Sequence, residues 1–161
     1  MSETLKPSTR KVRDFLRARG LDIVIREIPE STHTAADAAR AVDCDIACIA
    51  KSLVFRNRDN GEPVLIIASG KNRVDLERAG QALGSRLERA DADFARDQTG
   101  YAIGGIPPTA HSRPITTLLD SELKDSPIIW AAAGTPNSLF SLTPDMLADI
   151  TGGNWVDLAE R

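Results

Sequence analysis

The chain has 161 residues, 42% hydrophobic and 27% charged, with a net charge of −3. These figures fit a single globular domain with its own core and exclude a disordered chain or one that coats nucleic acid by bulk charge. No apolar run reaches membrane-spanning length and Met1–Pro7 lacks a signal-peptide core, so a cytoplasmic protein with Cys44 and Cys48 as reduced, buried thiols is expected.

Ser8 is placed to cap a helix over Thr9–Arg19, with Val12, Phe15, Leu16 and Arg19 on one face and Gly20 ending it. Leu21–Ile28 reads as a strand. Thr34-Ala35-Ala36-Asp37 resembles a capping box with Asp in place of Glu, opening an alanine-rich helix to Val42. Strand character develops within Ile46–Arg56, Asp59-Asn60-Gly61 marks a turn, and Pro63–Ala68 is the returning strand. Helices are predicted over Val74–Leu83, stopped by Gly84, and over Ala92–Asp97, capped by Asp91. Ile115–Leu119, Ile128–Ala133 and Ser138–Leu142 are apolar strand candidates, and Thr143-Pro144 starts a last helix that Gly152-Gly153 ends. Strands and helices mix without a strict βαβ repeat. The expected class is α/β, one domain over residues 1–161, with a mixed sheet and helices packed around it.

Between the last two groups of elements lies Thr99–His111, with glycines at 100, 104 and 105 and prolines at 107 and 108. Gly104-Gly105 permit positive φ and close approach of a ligand, while Pro107-Pro108 fix two φ angles and bias Ile106 toward an extended conformation. Rigid N–H groups in such a loop can cradle an anion or an oxyanion, although an ordinary turn between strands has the same composition. Lys51, between Ala50 and Ser52 in an apolar strand, either snorkels to solvent or grips an anion such as a phosphate. His111 follows the loop directly and is the better candidate of the two histidines; His33, before a helix start, reads as a surface residue. Lys6, Arg10, Lys11, Arg13, Arg17 and Arg19 form either a solvated helix face or a patch for a phosphate backbone. A nucleophile elbow, a CxxC pair and a zinc helix are all missing, and Gly70-Lys71-Asn72-Arg73 lacks the spacing of a nucleoside-triphosphate loop.

Several blocks together resemble the YbaK/EbsC-like aminoacyl-tRNA deacylases, whose domain also occurs as the editing insertion of bacterial prolyl-tRNA synthetases. They are Ala50–Phe55, Ala68–Asp75, Thr99–Pro108, Ala133–Asn137, and Leu142–Pro144 with Thr151–Gly153. The resemblance spans roughly Leu21 to Asp157. It implies the editing-domain fold, no metal or organic cofactor, and hydrolysis of the ester of a mischarged tRNA, most often tRNA for proline. Aminoacyl-tRNA is then the implied substrate and prolyl-tRNA synthetase a protein partner, with no membrane involved. Lys51 is implied to position the terminal adenosine, and Gly104 and Gly105 to stabilise the reacting carbonyl. Ser69, Gly100, Tyr101, Ile106, Pro107, Pro108, His111, Gly134 and Asn137 are implied to line the aminoacyl site. Some relatives carry histidine where this chain has Asn137, which bears on substrate identity. Alanine is the first expectation for the amino acid removed, with serine, threonine, cysteine or a small non-protein residue as alternatives. A non-catalytic module binding tRNA or an adenosine ligand, and a domain docking on a synthetase, are the competing readings.

Overall fold

A computed structural model describes residues 5–29 and 34–161; His33 and the first four residues lie outside them. In chain order the elements are α1 (Pro7–Arg17), β1 (Ile25–Glu27), α2 (Ala35–Val42), β2 (Ile49–Asn57), β3 (Pro63–Ser69), α3 (Leu76–Leu83), β4 (Leu87–Arg89), α4 (Ala92–Thr99), β5 (Thr116–Asp120), β6 (Ile129–Ala132), β7 (Ser138–Leu142), α5 (Pro144–Thr151) and β8 (Asn154–Val156). Short 3-10 turns precede β2 at Ile46–Cys48 and follow β5 at Ser121–Asp125.

The sheet is mixed, as expected. Its order is β1-β7-β6-β2-β3-β5-β8, with β4 added beside β2. β2 and β3 pair antiparallel from Ala50↔Ser69 to Arg56↔Pro63, while β3 pairs in parallel with β5 and β5 with β8. All seven residues of β3 are buried, as an apolar run covered on both faces must be. Leu65 and Ile67 face a core shared with Val12 and Leu16 of α1, Phe140 of β7 and Leu147 of α5. Val64 and Ile66 face the opposite side, with Ala79 of α3 and Leu158.

Most helix starts follow local chemistry. Thr34, Asp75, Asp91 and Thr143 each accept a backbone N–H of the first turn through the side chain. The expected Ser8 cap is corrected: Pro7 occupies the first turn and Lys6 is the N-cap without a side-chain bond, because a proline there has no N–H to satisfy. The strand expected over Leu21–Ile28 shrinks to Ile25–Glu27, whose partner β7 begins at Ser138 opposite Glu27. Two three-residue strands, β4 and β8, were not anticipated. Cys44 and Cys48 are half-buried free thiols rather than fully buried ones, and burial raises the Cys44 pKa. Among the described residues no helix is long and apolar enough to cross a membrane.

β2 is bordered unevenly. β6 pairs with it only at Ile49 and Ala50, and β4 only from Phe55 to Asn57. Lys51–Val54 therefore pair with β3 alone, and the sheet has a gap along their other edge.

The fully buried Asp120 holds the end of this sheet together. Its carboxylate accepts Ser69 N (3.0 Å), Asn72 Nδ2 (2.8 Å) and Glu122 N (3.0 Å), joining β3, the following turn and the end of β5. Asp120→Ala leaves buried donors unpaired and should lower stability by about 2–3 kcal/mol, read as a lower urea midpoint at unchanged m-value. An unchanged midpoint would mean that the carboxylate holds nothing.

Candidate functional site

Lys51 lies opposite Ala68, on the same face of β2 as Leu53 and Phe55. It is half-buried, and among the described residues no carboxylate lies within ion-pair distance of its ammonium. Burial lowers its pKa below the ordinary lysine value; Asp120 opposes that shift and Arg73 adds to it. The side chain borders a cavity of about 800 Å³ whose lining also includes Ser52, Val54, Arg73, Arg89, Ile103 and Ile106. Lys51, Arg73 and Arg89 thus bring three cations with no ion-pair partner among the described residues to one concave surface that also carries Asp75 and Glu160, while Arg161 at the rim is already paired with Glu122 (3.5 Å) and Asp157. A second cavity of about 520 Å³, between α3 and β4, has its principal charges matched by the Arg86–Asp59 pair at 2.9 Å.

The glycine-proline loop forms one wall. Gly100 ends α4 in the left-handed region (φ +88°). Tyr101 then turns inward: it is 2% exposed and its hydroxyl donates to Ala110 O at 2.8 Å. Burial pushes its pKa up to about 12. His111 stands edge-on to it, with Nε2 bonded to Pro107 O at 2.7 Å, and Pro107 and Pro108 are buried. The loop's outer turn, Ala102-Ile103-Gly104, faces outward, with Ile103 58% exposed beside the cavity.

The two central glycines differ. Gly104 has φ +95°, and its N–H has no partner among the described residues. Gly105 N–H donates to Ala102 O at 3.0 Å, and a Cβ on Gly105 would stand 2.7 Å from Thr135 Cα. Gly105 is therefore glycine because two backbones touch there. Gly134 makes the next contact, where a Cβ would stand 2.6 Å from Ser8 O. A buried hydroxyl chain runs alongside, Thr135 Oγ1 to Ser138 Oγ at 2.6 Å and Ser138 Oγ to Thr9 Oγ1 at 3.0 Å.

Of the candidate residues, Lys51 and Ile106 meet at the cavity. Gly104 lies half-buried on the outer turn next to the cavity-lining Ile103, and the others support the cavity from behind. Ser69 Oγ donates to Ala47 O at 2.9 Å, Asn137 Nδ2 donates to Ile28 O at 3.4 Å, and Tyr101 and His111 brace the loop from inside. The basic helix α1 does not line the cavity; its Lys11 lies over the Tyr101 ring at 5.0 Å. Sequence reading missed Ser52, Arg73, Arg89, Ile103 and Asp120. Asp120 carried a usable signal, an acidic residue closing the apolar run Leu118-Leu119. Arg89 carried none, because it arrives on a strand too short to show periodicity.

Comparison with known proteins adds an independent line. The sequence profile of the family described as "Aminoacyl-tRNA editing domain" matches residues 29–150. A solved protein described as a candidate trans-editing enzyme for prolyl tRNA synthetase is 43% identical, with a TM-score of 0.92 over 98% of this chain and all of that one. The solved hypothetical protein APE2540 is 27% identical, with a TM-score of 0.86 over 93% of this chain and 99% of that one. The uncharacterized protein YwhH of Bacillus subtilis (strain 168) is 29% identical over 137 residues, 84% of this chain and 87% of its own length.

His111 offers a pH-dependent readout of the loop. Burial lowers its pKa below the ordinary 6.5, outweighing the bond to Pro107. The unfolded chain therefore takes up this proton at a higher pH than the folded one, so stability falls as pH drops through the window below 6.5. NMR titration of the His111 ring should give a midpoint under 6.5. A midpoint at or above it would contradict the buried, neutral imidazole.

Proposed function

Since the chain belongs to the aminoacyl-tRNA editing domain family, we propose that it is a trans-acting deacylase. Its substrate on this reading is mischarged tRNA for proline carrying alanine or another small amino acid, and its place is the cytoplasm beside prolyl-tRNA synthetase. The observation that carries the reading is the unpaired, half-buried Lys51 ammonium on a cavity walled by the glycine-proline loop.

The chemistry suits such a site. An aminoacyl ester is already activated, so water can attack its carbonyl carbon without a protein nucleophile. The bond to the ribose oxygen then breaks, one proton of the attacking water goes to that oxygen and the other to solvent, and the amino acid departs as its carboxylate. The protein's share is positioning and stabilisation of the developing oxyanion. Lys51, Arg73 and Arg89 suit the phosphates and ribose of the tRNA 3′ end as fixed cations. Gly104 N–H, on the outer turn beside Ile103, and Ile106 N–H, at the cavity wall, are loop donors open to the oxyanion, since Gly105 N–H is engaged within the loop. Val54, Ile103 and Ile106 supply an apolar wall. A wall that favours one methylene over another discriminates by only about 1–3 kcal/mol, so sparing the correct ester requires a pocket too small for the proline ring.

The test is deacylation of Ala-, Ser-, Cys- and Pro-tRNA for proline by wild type and by Lys51→Ala. One small-residue ester should be hydrolysed and Pro-tRNA spared, with kcat/KM falling about 100-fold or more in the variant, the scale of losing one electrostatic group at a reacting centre. Binding of tRNA with no turnover of any ester would favour the non-catalytic module instead.

Arg89→Ala gives a second check. If Arg89 meets a phosphate, tRNA binding weakens and the slope of log K against log salt falls by about one. The double change Arg13→Glu with Arg17→Glu asks the same of α1 as an acceptor-stem contact. An unchanged affinity and slope in either variant removes that surface from the interface.

A further inference from the structure

The gap beside β2 has a defined set of polar groups. Ile49 O accepts from Gly70 N and Asn57 N donates to Glu62 O, so the odd-numbered residues of β2 address β3. The even-numbered residues address the other edge. There Ala50 is engaged by β6, Arg56 pairs with Glu88, and the Phe55↔Arg89 pairing engages the Val54 carbonyl. The N–H and C=O of Ser52 and the N–H of Val54 are left with no strand to address among the described residues.

A side chain shares this condition. Ser52 Oγ is buried without a hydrogen-bond partner among the described residues. The cavity touches Lys51 and Leu53 on one face of β2 and Ser52 and Val54 on the other. A cavity that reaches both faces of a strand wraps around its open edge. Ser52 Oγ is buried, and the three backbone groups belong to half-buried residues that line the cavity, so together they mark a place where a ligand can supply partners.

We infer that this gap docks the aminoacyl ester as a one-residue strand. Its α-ammonium donates to Ser52 C=O and Ser52 Oγ, and its ester carbonyl accepts from one of the two free N–H groups. An aminoacyl group carries one donor end and one acceptor end at the spacing of a peptide residue, the pattern a sheet edge recognises when a strand is added. The side chain of the amino acid then projects toward a face of β2, where Val54, Ile103 and Ile106 limit its size. This inference rests on the deacylase reading and names how that site holds the amino acid.

The test uses the intact protein and 3′-alanylamino-3′-deoxyadenosine, a non-hydrolysable amide analogue of the aminoacyl end. In ¹H–¹⁵N spectra, the amide proton of Ser52 or Val54 should move downfield on titration, while those of Lys51 and Leu53, which address β3, stay nearly fixed. Lactyl-tRNA, with a hydroxyl in place of the α-ammonium, should show a KM about 10-fold or more above that of alanyl-tRNA, the loss expected for a hydrogen bond to a charged group. Binding that moves Ile103 methyl or Lys51 side-chain signals without either edge amide overturns the inference, as does failure of the analogue to bind. Deacylation of alanyl-tRNA on the same sample separates the two readings. Turnover with silent edge amides leaves the deacylase standing and removes only the docking strip.

Discussion

The register between β2 and β3 is the constraint on which the site depends. Side chains alternate across a strand, so a slip of one residue would carry Lys51 to the α1 side of the sheet and put Ser52 in its place. β3 resists such a slip because it is buried along its whole length and is held by β5 and by the Asp120 carboxylate. The turn that follows β3 is fixed by the same carboxylate through Asn72, which brings Arg73 to the cavity. One buried acid thereby sets both the strand bearing Lys51 and a second cation of the cavity, Arg73. Arg73 in turn disfavours the charge on Lys51, while Asp120 favours it.

The loop wall is built on a different principle. Several of its polar groups are spent internally: Thr99 Oγ1 donates to Ala95 O, Tyr101 donates to Ala110, His111 binds Pro107, and Gly105 N–H is taken by Ala102. Its aromatic and imidazole groups act as braces. What the loop offers outward is a short apolar edge and the amides of its outer turn, Gly104 among them. A rigid wall of this sort suits selection by size, since it cannot yield to a larger side chain without breaking buried bonds.

Much of the frame was legible in the chain. Helices α2, α4 and α5 were announced at their starts by Thr34, Asp91 and Thr143, and α3 and α5 at their ends by Gly84 and Gly152. Helix α3 begins at Leu76 rather than Val74 because Asp75 caps it, and α4 runs past Asp97 to Thr99, where left-handed Gly100 ends it. Lys51 stood out because an apolar strand rarely carries a cation. The gap beside it was invisible, since it arises from where β6 stops and β4 begins, and neither end has a local signal. Arg89 and Ser52 gain their significance only from that gap. For a related reason, Tyr101 and His111 take an inward place that the chain did not announce. Their place depends on how the loop folds over them, and both rings brace it from inside.

The ends of the chain lie outside residues 29–150, which carry the family signature, yet both support the cavity. Ser8 of α1 backs Gly134, while Ala159 bridges to Val74, Glu160 N donates to Arg73 O, and Arg161 stands at the rim. These contacts join residues far apart in sequence, so their closure comes late in folding. A chain still emerging from the ribosome can form the β2–β3 hairpin but lacks the segment that completes the rim. The rim of the cavity therefore closes only once Glu160 has bonded to Arg73 and Ala159 has bridged to Val74.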